Sequence, residues 1–242
     1  MEKLISSRAV YQDIIKTVGC WKIIDYRGIR EQAQTKMSNT LVGRRVRYLE
    51  RCGILESTVY DRKKKYFYLT DLGLKIAKKK KNYRPEEETL LHDLLAGAVV
   101  REICRHDRVF HADMCHLYAA DDIHPDATVW AKRGEDEYRI AIELELTQKS
   151  KERVLEKYGK YVRSKKFDYV VFITQKQELV SAYLECLGKL NKASREKFVF
   201  ILNEDLFPGH VDFKDSYCLH LGKKVEFVEF FGPKRAEQYR YK

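Results

Sequence analysis

His124-Pro125-Asp126-Ala127-Thr128-Val129-Trp130-Ala131, the polar turn Lys132-Arg133-Gly134-Glu135-Asp136-Glu137, and then Tyr138-Arg139-Ile140-Ala141-Ile142-Glu143-Leu144-Glu145-Leu146 form one continuous run. It reads as two strands and a tight turn. The second arm alternates strictly. Ile140, Ile142, Leu144 and Leu146 point one way, and Ala141, Glu143 and Glu145 the other. Asp126 sits on the first arm. If the arms pair, Asp126, Glu143 and Glu145 converge. Like charges that close repel, and burying them is costly without a cation. Mg²⁺ or Mn²⁺ answers both problems, because hard cations take carboxylate oxygens. Such an ion can activate water and stabilise a leaving phosphate oxygen. The competing reading is a solvated strand with ordinary surface glutamates.

Downstream, a helix is expected from about Ser150 to Arg163. Phe167 to Thr174 reads as a buried strand, 177–193 as a helix and Lys197 to Leu202 as another strand. Upstream, 86–105 has helical spacing of Leu90, Leu91, Leu94, Leu95, Ala98, Val99 and Ile103. Residues 106–122 show no period. Strands and helices alternating around one sheet make this part α/β. Pro125-Asp126 followed by Glu143-Leu144-Glu145 resembles the PD-(D/E)xK nuclease motif. The resemblance implies a restriction-endonuclease-like domain over 86–242. Asp126, Glu143 and Glu145 would be its metal ligands. The pattern departs at one place, where Glu145 stands in the usual lysine position. Lys149 or Lys151 can reach back from the helix start, or Glu145 can serve as a third ligand. The expected catalytic set is therefore Asp126, Glu143, Glu145 and Lys149.

The first third has another character. Residues 1–85 hold 21 Lys and Arg against 8 Asp and Glu, a net +13, and the remaining chain is −2. A basic module beside a near-neutral one points to a polyanion, most simply nucleic acid. Residues 8–18 carry Val10, Ile14, Ile15 and Val18 at helical spacing, with Gly19 as a stop. A second short helix fits 27–34. Ser38-Asn39-Thr40 can cap a third helix that runs to Arg51. Strands at Ile54–Tyr60 and Tyr66–Leu69 flank the basic turn Asp61-Arg62-Lys63-Lys64-Lys65, and Thr70-Asp71-Leu72-Gly73 opens another helix. Helix, helix, helix, hairpin, helix is the order of a winged helix-turn-helix. The run from Tyr48 to Leu55, with Tyr68 to Gly73, resembles bacterial members of that fold. The fold class expected for the whole chain is α+β, a winged helix over 1–85 and the α/β domain over 86–242. The third helix would enter the major groove of double-stranded DNA with Arg44, Arg45, Arg47 and Arg51, and Lys63, Lys64 and Lys65 would touch the backbone.

Composition narrows the class further. The 242 residues suffice for two domains, and 44% hydrophobic residues suffice for a core under a heavily charged surface (34%). Four Pro and twelve Gly exclude a collagen-like chain. No run of about 18 apolar residues suggests a membrane span. No apolar N-terminal run suggests a secretory signal. None of the six cysteines lies in a C-x-x-C pair. A reduced, cytoplasmic protein is expected.

The order of these parts adds a family. The winged helix, a Lys-rich link, a helix with His92, Pro125-Asp126-Ala127, the run Ile142 to Thr147 and Lys157-Tyr158-Gly159-Lys160-Tyr161 together resemble the replication-relaxation family of mobile elements. The similarity is strongest to its MobC-type plasmid relaxases. It implies a protein that nicks one strand at a plasmid's transfer origin, with other mobilisation proteins as partners. His92 is a candidate accessory group. Tyr158 and Tyr161 are candidate nucleophiles, although their spacing suits helix packing better and favours water in that role. His106, His111 and His116 with Cys104 and Cys115 match no familiar zinc spacing. Two other readings stay open. One is a non-catalytic DNA-binding protein with a degenerate nuclease fold, and the other is a restriction or repair endonuclease. Val225 to Phe231 is expected as a last strand, and Lys234 to Lys242 as a basic tail.

Overall fold

The computed structural model describes residues 9–61, 64–78, 83–114 and 123–235. They form two compact units that divide between Gly97 and Ala98, inside one helix.

The N-terminal unit runs α1 (Ala9–Trp21), β1 (Ile24–Asp25), α2 (Tyr26–Gln32), α3 (Asn39–Arg51), β2 (Leu55–Tyr60), β3 (Lys64–Leu69), α4 (Asp71–Ala77) and the start of α5 (Glu87–Ile103). Its small antiparallel sheet has the order β1-β3-β2. Ile14, Ile15 and Val18 of α1 are buried with Ile29, Val42, Val46, Leu49 and Phe67. Local chemistry sets the boundaries. Asp25, Ser38 and Thr70 accept the backbone N–H groups of Gly28, Leu41 and Gly73, capping α2, α3 and α4. Gly53, at φ 68°, turns the chain from α3 into β2. Helix α1 does not stop at Gly19. It runs two residues further, to Trp21, and the left-handed Lys22 (φ 59°) follows. Residues 79–82 of the expected Lys-rich link lie outside the described residues.

The C-terminal unit is built on a seven-stranded mixed sheet of order β10-β9-β8-β7-β6-β5-β4. Its elements are β4 (Val109–Met114), β5 (Ala127–Arg133), β6 (Asp136–Leu144), α6 (Lys151–Arg163), β7 (Tyr169–Thr174), α7 (Gln177–Leu187), α8 (Lys192–Arg195), β8 (Phe198–Leu202), β9 (Tyr217–His220), β10 (Lys223–Glu226) and α9 (Phe227–Phe231). β5 and β6 pair antiparallel, as the alternation and the Gly134 turn (φ 63°) require. β6, β7 and β8 are parallel, joined by helical crossovers. Val154, Tyr158 and Tyr161 of α6 pack with Val180 and Tyr183 of α7 on Ala141, Val170, Phe172 and Phe198. The face of β6 that carries Ala141 and Glu143 therefore lies beneath helix α6.

Two expectations change here. The stretch 106–122 contains a strand, β4, whose pairing with β5 shifts between Val109 and His111. The run Val225 to Phe231 is strand only to Glu226. Phe227 and Phe231 sit at i and i+4, both are buried, and their rings stack at 4.7 Å, so the segment closes as a helical turn. The five described cysteines are free thiols.

Candidate functional site

Asp126 and Glu143 act on one another where β5 begins and β6 ends, and Glu145 shares a lysine with Glu143. Asp126 stands just ahead of β5. Its N–H donates to the Ile142 carbonyl (3.0 Å), and its Oδ2 accepts the Leu144 N–H (2.7 Å). Glu143 lies one residue before the end of β6, and Glu145 follows that strand with its N–H on the Ile173 carbonyl (2.9 Å). Glu143 is only 5% exposed and Glu145 3%. These are not the glutamates of a solvated strand. Burying an ionised carboxylate costs several kcal/mol unless its oxygens are met.

They are met chiefly from α6. Lys157 Nζ lies 2.9 Å from Glu143 Oε2 and 2.8 Å from Glu145 Oε1. The Tyr161 hydroxyl donates to Glu143 Oε1 (2.5 Å). Lys149, ahead of the helix, reaches Glu145 Oε2 (2.6 Å), whereas Lys151 turns to Glu185 on α7 (2.8 Å). Of the two lysines that the sequence leaves open, Lys149 faces the acids. Lys157 is not among the residues that the sequence singles out for the site. Its distance along the chain hides it, but the helix does not. The Ser150 hydroxyl accepts the Arg153 N–H and starts α6, while Val154, Tyr158 and Tyr161 form its buried stripe. Lys157, one turn before Tyr161, stands on the flank of that stripe, above Glu143.

Charges of both signs act on the two glutamates, Asp126 on Glu143 and Lys149 and Lys157 on Glu145. Burial pushes the Glu143 carboxyl up to about 7; Lys157 opposes the rise and the Asp126 charge adds to it. Burial works against Glu145 as well, but Lys157 and Lys149 outweigh it and hold that carboxyl below the ordinary range. For Lys157 itself, burial favours the neutral amine, and Glu143 and Glu145 overcome this and raise its pKa. Among the described residues, no three His, Cys, Asp or Glu side chains are gathered as a metal-ion group. Glu145 is engaged by two lysines. Asp126 and Glu143 are the carboxylates that could hold a hard divalent cation, since Mg²⁺ commonly takes one or two carboxylates and fills its shell with water and phosphate. Beside the pair opens a cleft of about 270 Å³, lined by Glu143, Lys149, Arg153, Lys157 and Lys160 among others.

Neither a family model nor a curated protein matches this chain. It is similar to a solved structure of the restriction endonuclease FokI bound to DNA. The identity is 10% and the TM-score 0.24, over 72% of this chain and 40% of that one. The chain thus spans less than half the length of that protein.

The remaining expected residues fall as follows. Arg44, Arg47 and Arg51 are exposed along one side of α3 and, with Glu50, line a cleft of about 550 Å³. Arg45 turns inward. Its Nη1 donates to the Tyr11 hydroxyl (2.6 Å), and its guanidinium lies over the Tyr11 ring. Lys64 pairs with buried Asp25 (2.8 Å) and Lys65 with Glu50 (3.2 Å). Arg62 and Lys63 lie outside the described residues, as do Cys115 and His116. His92 is half-buried on α5 and belongs to the N-terminal unit, whereas the carboxylates belong to the other. His106 Nδ1 is 2.6 Å from the Gly232 carbonyl, and His111 packs on Trp130. Tyr158 and Tyr161 are buried at 0% and 1% exposure, and the Tyr158 hydroxyl donates to the Tyr183 carbonyl. Among the described residues, no helix is long and apolar enough to cross a membrane.

Proposed function

We propose that the chain is a metal-dependent DNA endonuclease with its centre at Asp126, Glu143 and Lys157. In its finer form it is a plasmid mobilisation relaxase that nicks one strand at a transfer origin. The observation that carries the first statement is buried Glu143, with Asp126 and Lys157 beside it, lining a cleft that also holds Lys149, Arg153 and Lys160. The second rests on the motif order that resembles the replication-relaxation family. Asp126 and Glu143 would hold Mg²⁺ or Mn²⁺, which would supply Lewis acidity towards the phosphate. Tyr161 fixes the orientation of Glu143. Lys157 takes the place of the lysine that Glu145 displaces from the motif. Its ammonium, held between two carboxylates, orients the water and meets the charge that develops on phosphorus-bound oxygen. With their hydroxyls bonded inside the unit, Tyr158 and Tyr161 serve packing and positioning, and water is the nucleophile.

The N-terminal unit fits a winged helix-turn-helix, with α3 as recognition helix and β2–β3 as wing. Exposed Arg44, Arg47 and Arg51 would face duplex DNA and raise its concentration at the second unit. A non-catalytic DNA-binding protein is the second reading. It is favoured by the engagement of both Glu143 oxygens with Lys157 and Tyr161.

Supercoiled plasmid with a candidate transfer origin, incubated with Mg²⁺, Mn²⁺ or EDTA, separates the readings. Open-circular product that needs metal and disappears in Glu143→Gln is expected. Linear product would indicate cutting of both strands and remove the relaxase reading. Salt-sensitive binding without any nick would leave the non-catalytic one.

A further inference from the structure

We infer that the cleft beside Glu143 seats a second phosphate of the same strand on Arg153, so that the centre takes an internal phosphodiester of a polynucleotide rather than a mononucleotide or a strand end. The inference rests on the nuclease reading above and deepens it.

Four cations, Lys149, Arg153, Lys157 and Lys160, line the cleft with two acids, Glu143 and Glu156. Three of the cations have carboxylate partners within the protein. Lys149 pairs with Glu145, Lys157 with both buried glutamates, and Lys160 with Glu156 at 3.0 Å. Arg153 forms an ion pair with no carboxylate among the described residues and is exposed. Its field does reach Glu156, which Lys160 holds below the ordinary carboxylate range with a smaller contribution from Arg153. A surface arginine elsewhere on α6 would be an ordinary solvated residue. This one shares a concave surface with buried Glu143.

The spacing also fits. Arg153 and Lys157 are four residues apart on one helix, a rise of about 6 Å. Successive phosphates of one duplex strand climb about 3.4 Å along the axis and are offset around it. A phosphate at the Glu143–Lys157 centre therefore brings its neighbour within reach of the Arg153 fork, whose planar N–H groups match phosphate oxygens in pairs. Glu143 repels a lone anion, so a second anchor one nucleotide away helps to hold the strand in place.

The test uses the full chain in EDTA, where affinity is read without turnover. Short duplexes carry a single neutral methylphosphonate at successive positions, and binding is followed by fluorescence anisotropy. One of these positions should cost the wild type about tenfold in affinity. Arg153→Ala should show that loss on unmodified DNA and no further loss at that methylphosphonate. Arg153→Lys should recover part of it, and Lys189→Ala, on the exposed surface outside the cleft, should bind as wild type. Wild-type affinity in Arg153→Ala, or an undiminished methylphosphonate penalty in that variant, would overturn the inference. If coupling appears in a chain that never nicks, the groove stands and the nuclease reading falls. If nicking appears without coupling, the groove alone falls.

Discussion

Lys157 Nζ stands 2.9 Å from one buried glutamate and 2.8 Å from the other, so its removal takes from Glu143 and Glu145 the ammonium that they share. Lys157→Ala should abolish nicking. It should also cost roughly 2–4 kcal/mol of stability, the lower part of the range reflecting its partial exposure; urea denaturation at pH 8 in EDTA would measure this. Glu143 makes a pH prediction with the opposite sense to most acids. Its folded pKa, about 7, lies above the unfolded value of 4.5. Between the two the folded chain binds more protons than the unfolded one, so stability is greatest below the unfolded pKa and is lost as pH rises through about 7. Glu145, with a lowered pKa, acts in the reverse direction and only below its unfolded value. Wild type in EDTA should therefore lose roughly 1–3 kcal/mol between pH 5 and pH 8 through Glu143, and Glu143→Gln should flatten that slope. An equal slope in both proteins would show that Glu143 titrates normally. Asp126, Glu143 and Glu145 are legible in the sequence because strand alternation and pairing are local rules. Lys157 is not, because it reaches the acids through the rotation of a helix whose buried face only the tertiary packing reveals.

Among the elements, α6 is the one that places Lys157 and Tyr161, and its start depends on Ser150. Ser150→Ala should cost about 1 kcal/mol. If the helix positions the centre, the variant should also lower kcat more than it raises KM. Loss of stability with unchanged kcat would make α6 a passive cover. In the N-terminal unit, a Cβ on Gly73 would run into the Ile54 carbonyl, because α4 packs directly against the turn that leads into the hairpin. Gly73→Ala should destabilise that unit by roughly 1–3 kcal/mol, read as a lower melting temperature. The β5–β6 hairpin is readable because its alternation and its Gly134 turn agree. β4 is not readable, since the register shift after Val109 destroys the period of two. Val225 to Phe231 misleads because seven residues with Glu226 and Glu229 among the apolar ones are too short to fix a period, and only the seating of Phe227 and Phe231 distinguishes helical turn from strand.

Across the whole molecule, the charge is divided between a basic first third and a near-neutral remainder. The division between residues that recognise and residues that stabilise is finer than composition can show. Arg47→Ala, on the exposed side of α3, should weaken duplex binding and lower its salt dependence by about one ion for each phosphate no longer neutralised. Lys64→Ala should instead destabilise the N-terminal unit, because buried Asp25 loses its ammonium partner. A Lys64 variant with normal stability and weakened binding would place that lysine on DNA after all. Both behaviours are measurable by anisotropy over a salt series and by thermal denaturation. The proposed chemistry of the molecule depends on a divalent cation held by Asp126 and Glu143. Titration of the full chain with Mn²⁺, followed by the loss of its free-ion electron paramagnetic resonance signal, reads that binding site directly. One site should fill in the wild type and be lost in Glu143→Gln, whereas Mn²⁺ binding that is absent in the wild type, or equal in both proteins, would contradict the metal-dependent centre.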